Sequence, residues 1–235
     1  MSVSKENYKK LASSVELAHV SGLISKCKFR HHPEGIDRTI ENLFLKLDAI
    51  DDLSRILIAL NHSEPVTICM DFGSGNLSSF EHPEALGWYS YEEGELLLGA
   101  ENYQTDEFLG TLAHELTHWC LQAVFKNQCL PCYPCEPDRK HRIEFQSIVE
   151  NVEAEREKLH IVLQSVFSGY SQNKWHQELI VRVPQLLAQY GSASAREILS
   201  ANPWTAKLLE YFDNYVAGEI EEFISDGPLN QARQT

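Results

Sequence analysis

The sequence has few basic residues for its size and no long apolar run. It carries 20 basic side chains against 34 acidic ones, which gives a formal net charge of −14 at pH 7. An acidic surface repels the phosphates of nucleic acids and of anionic lipids, so we expect neither as a partner. The longest aliphatic run, residues 56–60, is far shorter than the roughly 20 residues that cross a bilayer. We therefore expect no membrane association.

A secretory signal is also missing, because the first 30 residues contain no uninterrupted apolar segment. This absence predicts a cytoplasmic protein. A bacterial effector that is exported without a cleaved signal would have the same sequence features, so that alternative stays open. In a reducing compartment the 6 cysteines are expected as free thiols or metal ligands and not as disulfides.

The order of the predicted elements indicates an α+β fold. With 235 residues, 43% of them hydrophobic, the chain is long enough for a sizeable core in a single domain. Apolar spacing predicts helices over 5–29, 36–62, 105–127, 139–167, 173–189 and 193–225, and strands over 66–72, 88–91 and 95–98. Thr105 is predicted to cap the helix that it begins, Gly191 to mark a break, and Pro203 to lie near a helix start. We divide the domain 1–235 into N-terminal helices (1–65), a catalytic core (66–167) and C-terminal helices (168–235).

Residues 114–118 read HELTH and form the motif that carries chemistry. On a helix, His114 and His118 lie one turn apart on the same side, so both imidazoles can bind one Zn²⁺. Glu115 lies beside them without being a ligand and can accept a proton from a water at the metal. Apolar residues flank both sides of this helix, which predicts that the histidines lie on a covered face.

HELTH resembles the active-site helix of the zincin metallopeptidases, and the same five letters occur in the thermolysin-like gluzincins. In that family the third zinc ligand is a glutamate on the next helix, in a pattern similar to N-E-x-x-S-D. The resemblance implies Glu144 as this ligand, with Ser147 in the serine position. It further implies a compact zincin-like domain with one Zn²⁺ per chain, held by His114, His118 and Glu144. Glu115 would be the catalytic base and a protein or peptide the substrate.

His141 is an alternative third ligand. In the SprT-like zincins a histidine in an H-G-x-x-F/W type of pattern has this role, and here His141 is followed by Phe145. Helical spacing centres His141 on an apolar face, where a histidine is more often a core residue than a ligand. The sequence therefore favours Glu144 and leaves His141 open.

A second group of possible metal ligands is Cys129, Cys132 and Cys135, which form a C-x₂-C-x₂-C pattern in a proline-rich loop. A structural zinc site normally has four ligands, and Cys120 could supply the fourth if it faces the loop. We favour the simpler interpretation, in which these cysteines are free thiols near the rim of the active site.

Three further features bear on substrate binding. The resemblance implies that segment 91–100 lies beside the metal and pairs with an extended substrate. Tyr170, His160 or His176 could donate a hydrogen bond to an oxyanion, and the sequence does not choose among them. Arg182 is interpreted as one half of an i,i+4 pair with Glu178, with pairing to a buried carboxylate near the site as the alternative.

Taken together, these patterns predict a zinc metalloendopeptidase. The main alternative is a zinc-binding or protein-interaction module that keeps a zincin scaffold without catalysing a reaction. A third possibility is a metal-free helical interaction protein. Oligomeric state does not follow from the sequence.

Overall fold

The protein has an α+β fold that is mostly helical. The structure, a computed structural model, describes residues 19–31, 36–63, 66–77, 85–90, 92–125 and 139–226. Within these ranges a four-stranded sheet packs against the helices. The predicted fold class is therefore confirmed at this level.

The sheet consists of β1 (Cys27–Arg30), β2 (Thr67–Asp71), β3 (Gly87–Ser90) and β4 (Glu95–Gly99). Their order in space is β1-β2-β4-β3, with β1, β2 and β4 parallel and β3 antiparallel to β4. The last four residues of β2 and of β4 are buried, as expected for central strands that are covered on both faces. Strands β2, β3 and β4 confirm the sequence prediction.

Of the helix predicted over 5–29, residues 5–18 lie outside the described ranges, residues 19–24 are helical as predicted, and strand β1 corrects the end of the prediction. In β1, partly buried and exposed residues alternate with the period of two that is typical of a strand. Cys27 is aligned with Ile68 of β2, which lies far away in the sequence. Four residues are too few for this alternation to stand out beside a helical pattern, so the pairing with β2 decides the local structure.

The helices are α1 (Ile36–Asp48), α2 (Asp51–His62), α3 (Asp106–Phe125), α4 (Arg139–Ala154), α5 (Ile161–Gly169), α6 (Trp175–Ser200), α7 (Pro203–Tyr211) and α8 (Ala217–Asp226). A π-helical segment, Phe212–Val216, joins α7 to α8. Three predicted helices are divided: 36–62 at Ile50, whose backbone is extended, 139–167 after Ala154, and 193–225 at Asn202, which is also extended. We find no helix in the described ranges that has both the length and the apolar character needed to cross a membrane.

Helix ends that carry a local signal agree best with prediction. The Thr105 hydroxyl accepts a hydrogen bond from the Phe108 N–H at 3.2 Å and so caps α3. Pro203 occupies the first turn of α7, as predicted. Gly191 interrupts α6 with φ 76° and ψ 159°, a conformation that favours glycine, and this is the predicted break.

Helix α3 is the central helix of the fold. It packs against α6 along much of its length and also contacts α2, β3 and β4. Its buried residues lie on more than one face, for example Leu116 and Trp119 on one side and Leu121 and Phe125 on the other. The prediction of two covered faces is confirmed, and it follows that the polar residues of the HELTH motif lie in the protein interior.

Candidate metal centre

The two motif histidines point to one spot between α3 and α6. The Nε2 atoms of His114 and His118 lie 3.1 Å apart, and the ring centroids are separated by 4.8 Å. His114 is 5% exposed and His118 is partly buried. The helical spacing thus brings two imidazole nitrogens together as predicted.

Glu178, on the first turn of α6, completes a group of three. Its Oε2 lies 3.4 Å from His114 Nε2, and its Oε1 lies 3.6 Å from His118 Nε2. Within the described part of the chain, these three residues form a group whose ligand atoms all lie within 4.8 Å of one another. Nitrogen and oxygen ligands that bind a tetrahedral zinc at about 2.0–2.1 Å are themselves roughly 3.3 Å apart. The observed separations match that spacing.

Glu144 does not join this group. Its side chain is 55% exposed, and its nearest ionic partner is His141 Nδ1 at 3.9 Å. The reason is that α4 packs against α6 and α7, so that Glu144 faces a groove between α4 and α7. His141 is also elsewhere, because its ring stacks on Tyr215 with a centroid distance of 4.2 Å. The structure therefore brings Glu178, and neither predicted third ligand, to the two histidines.

The charges of the group suit a cation. Burial lowers the pKa of His114 to about 3, so its imidazole is neutral at pH 7 and has a free lone pair. Burial acts to raise the pKa of Glu178, but the two neighbouring imidazoles outweigh it and keep the carboxylate ionised. Glu178 Oε2 is buried and makes no hydrogen bond within the described residues. A buried carboxylate oxygen without a hydrogen bond, beside the neutral imidazole of His114 and the ring of His118, is a fitting donor set for Zn²⁺.

A side chain of α6 forms a hydrogen bond with His114 on the side of the ring opposite to Nε2. His114 Nδ1 lies 3.2 Å from Gln185 Oε1, and the same oxygen accepts a hydrogen bond of 2.5 Å from the Arg182 Nη1. Gln185 and Arg182 are both buried. Glu178 and Arg182, which the sequence analysis interprets as an i,i+4 pair, both have buried side chains, and Glu178 contacts the two histidines.

Glu115 lies between α3 and the edge strand β3. It is 6% exposed, and the Tyr89 backbone N–H donates a hydrogen bond to its carboxylate. Burial raises the pKa of Glu115 to about 7, although His118 and the Tyr89 N–H favour the ionised form. A carboxyl group whose pKa lies near neutrality can exchange protons readily at physiological pH.

The close approach of β3 to Glu115 depends on a glycine. A Cβ atom at Gly87 would lie 2.7 Å from both Cγ and Oε1 of Glu115, which is shorter than real contacts allow.

Strand β4 is paired on both sides, with β2 and with β3. The expectation that segment 91–100 pairs with an extended substrate is therefore wrong for β4, and β3 is the strand that lies beside the site.

Of the three candidate oxyanion donors, the structure brings Tyr170 to the group. Burial and the nearby Glu178 carboxylate raise the pKa of Tyr170 to about 12, and the Arg182 guanidinium lies 5.9 Å from its ring centroid. His176 instead bonds to Gln146 at 2.5 Å on a different surface. His160 caps α5 and packs edge-on against Tyr190. Tyr170 is thus a neutral phenol at the centre.

The predicted second metal site falls mostly outside the described ranges. Cys129, Cys132 and Cys135 belong to residues 126–138, which the structure does not describe. Cys120 is a free thiol with no exposed surface, and burial raises its pKa, so the thiol stays protonated.

The sequence missed Glu178, although a signal for it was present. Glu178, Arg182 and Gln185 recur at i, i+4 and i+7 within a stretch that is otherwise strongly apolar. Such a stretch forms a helix that is buried on every side, as α6 is here. Polar residues in one line on a fully buried helix need partners, and the HELTH helix supplies them.

Comparison of the chain with protein-family models, with curated proteins and with solved structures found no match. The functional argument below therefore depends on the geometry and chemistry of this centre.

Proposed function

We propose that the protein is a zinc-dependent hydrolase, with one Zn²⁺ per chain bound by His114, His118 and Glu178. The single observation that carries this proposal is the proximity of their three ligand atoms, which all lie within 4.8 Å of one another, while Glu178 Oε2 makes no hydrogen bond within the described residues. The third ligand in this proposal is Glu178 in place of Glu144, so the site combines α3 with the segment 168–235 that the sequence had separated from the catalytic core.

More particularly, we propose a metallopeptidase of zincin-like type that acts on protein or peptide substrates. The support is the HELTH motif together with the position of Glu115, which is next to the ligands and is not one of them. A zinc ion held there would supply a Lewis acid, which polarises a carbonyl group and lowers the pKa of water. The neutral imidazole of His114 and the ionised carboxylate of Glu178 suit this role.

The protein groups then divide the proton transfers between them. Glu115 accepts the proton of the attacking water and later delivers it to the leaving amine, a role that suits a buried carboxyl group with a pKa of about 7. The Tyr89 N–H holds this carboxylate by a hydrogen bond. Tyr170, which stays a neutral phenol, donates a hydrogen bond to the negative charge that develops on the substrate oxygen.

Tyr170→Phe tests that last role. We expect zinc content to stay at the wild-type value and kcat for peptide hydrolysis to fall by about 10²-fold, because a donor to the developing oxyanion is lost. His176→Ala is the matched control, since that residue lies on a different surface and should leave the rate unchanged. The measurement is steady-state kinetics with zinc analysis of the same preparations. Equal rates for Tyr170→Phe and the wild type would remove Tyr170 from the mechanism.

Gly87→Ala tests the position of Glu115. The added methyl group would force the Glu115 side chain to move, and a displacement of about 1 Å from the reacting atoms can cost about 100-fold in rate. Zinc content should not change, since none of the three ligands contacts Gly87. The control is Gly218→Ala, an exposed helical position where a Cβ meets nothing within 4 Å and activity should be unaffected. Full activity in Gly87→Ala would contradict the proposed contact.

The proposed function is tested directly by metal analysis of the purified protein and by turnover of a peptide library with and without a chelator. We expect close to one zinc per chain after reconstitution, and hydrolysis that the chelator abolishes. Zinc well below one per chain would overturn the metal site. Stoichiometric zinc without any turnover would instead favour the non-catalytic module.

A further inference from the structure

The hydrogen bonds behind His114 form a short chain of three buried side chains. Gln185 Oε1 lies 3.2 Å from His114 Nδ1 and 2.5 Å from Arg182 Nη1. The exposed fractions of His114, Gln185 and Arg182 are 5%, 8% and 9%, so water competes little for these contacts. We call this chain the Arg182–Gln185–His114 relay.

Each group in the relay restricts the next one. An arginine can only donate hydrogen bonds, so the Gln185 atom that faces it must be the carbonyl oxygen. That oxygen can only accept, so the His114 Nδ1 that also faces it must carry the hydrogen. In a neutral imidazole the other nitrogen, Nε2, then holds the lone pair. Nε2 is the atom that faces His118 and Glu178.

Gln185 alone could not make this choice. Its carboxamide has an oxygen and an NH₂ group of nearly the same shape, and rotation by 180° exchanges an acceptor for a donor. With the NH₂ group toward His114, Nδ1 would have to accept and Nε2 would carry the hydrogen. A protonated Nε2 cannot bind a metal. The donor-only guanidinium of Arg182 removes this second orientation.

We propose that Arg182 is a positioning residue that sets the tautomer of His114 through Gln185, so that Nε2 presents its lone pair to the metal. This inference deepens the proposed zinc site and rests on it for its functional consequence. The tautomer itself is a property of the metal-free protein. In this arrangement Arg182 does not contact a ligand atom and acts on His114 through Gln185.

The test compares Arg182→Gln with Arg182→Lys. Glutamine can donate or accept and therefore no longer fixes the Gln185 amide, whereas lysine, like arginine, only donates. Long-range ¹H–¹⁵N spectra of the metal-free protein, labelled at histidine, report which nitrogen of His114 carries the hydrogen. We expect the Nδ1–H form in the wild type and in Arg182→Lys, and a mixture of both forms in Arg182→Gln. Zinc affinity, measured by chelator competition, should fall about 10–100-fold in Arg182→Gln and largely recover in Arg182→Lys.

A second variant covers the case in which Arg182→Gln does not fold. Gln185→Glu has two acceptor oxygens and, when ionised, no donor, so the Nδ1–H form should persist. Gln185→Met offers only a weakly accepting thioether and should lose the preference for this form. An unchanged Nδ1–H form in Arg182→Gln, or in Gln185→Met when the first variant does not fold, overturns the relay. If the tautomers behave as expected but even the wild type binds no zinc, the relay stands and the proposed function falls.

Discussion

Replacing Glu178 by glutamine is expected to cost the protein its zinc. The amide oxygen of glutamine is a far weaker zinc ligand than a carboxylate, and the change removes the one carboxylate from a donor set that otherwise consists of two histidine side chains. The affinity should therefore drop by more than the roughly 10–100-fold that is typical of residues outside the ligand set. The fold should survive, because glutamine has nearly the same shape and helix propensity and is easier to bury uncharged.

The matched control is Glu144→Gln, the same change at the ligand that the sequence implied. Glu144 is 55% exposed and takes no part in the group, so zinc content and activity should equal those of the wild type. Both proteins are measured by chelator competition, with thermal unfolding of the metal-free forms to confirm equal stability. The reverse result, with zinc lost in Glu144→Gln and kept in Glu178→Gln, would restore the ligand set implied by the gluzincin resemblance.

The contrast between these two glutamates shows what the sequence could and could not predict about the site. The two histidines lie close together because residues four apart share one side of a helix, so helix periodicity alone was sufficient to predict the proximity of His114 and His118. The third ligand comes from a helix that starts about 60 residues later, and which helix packs there is a question of tertiary structure. Glu144, on the next helix, was chosen as the third ligand by analogy with the gluzincins. The packing of that helix, α4, against α6 and α7 leaves Glu144 at the surface.

The fold has the same division between local and distant causes. Thr105, Gly191 and Pro203 mark helix ends through their own backbone and capping chemistry, and each lies where it was predicted. Strand β1 has no such local marker and exists because β2 offers a parallel partner. Arg182 belongs with β1 in this respect, since an i,i+4 spacing with Glu178 is compatible with a surface pair or with an interior one. Only the burial of α6 against α3 distinguishes the two.

Glu115→Gln should separate metal binding from catalysis. Glutamine keeps the length of the side chain and its contact with the Tyr89 N–H, but it cannot accept a proton at any physiological pH. Since Glu115 is not one of the three ligands, zinc stoichiometry should stay near one per chain. Hydrolysis loses the group that takes the proton of the water and returns it to the amine, an effect of about 10²–10⁴-fold. The measurement is cleavage rate and zinc content on the same preparation.

The variant His114→Ala supplies the comparison for Glu115→Gln, because it should lose metal and activity together. One ligand of three is removed there, and the relay through Gln185 ends at an empty position. If Glu115→Gln also lost its zinc, the carboxylate would be acting as a ligand and the proposed division of roles would be wrong. If it kept both zinc and the wild-type rate, another group would have to accept the proton.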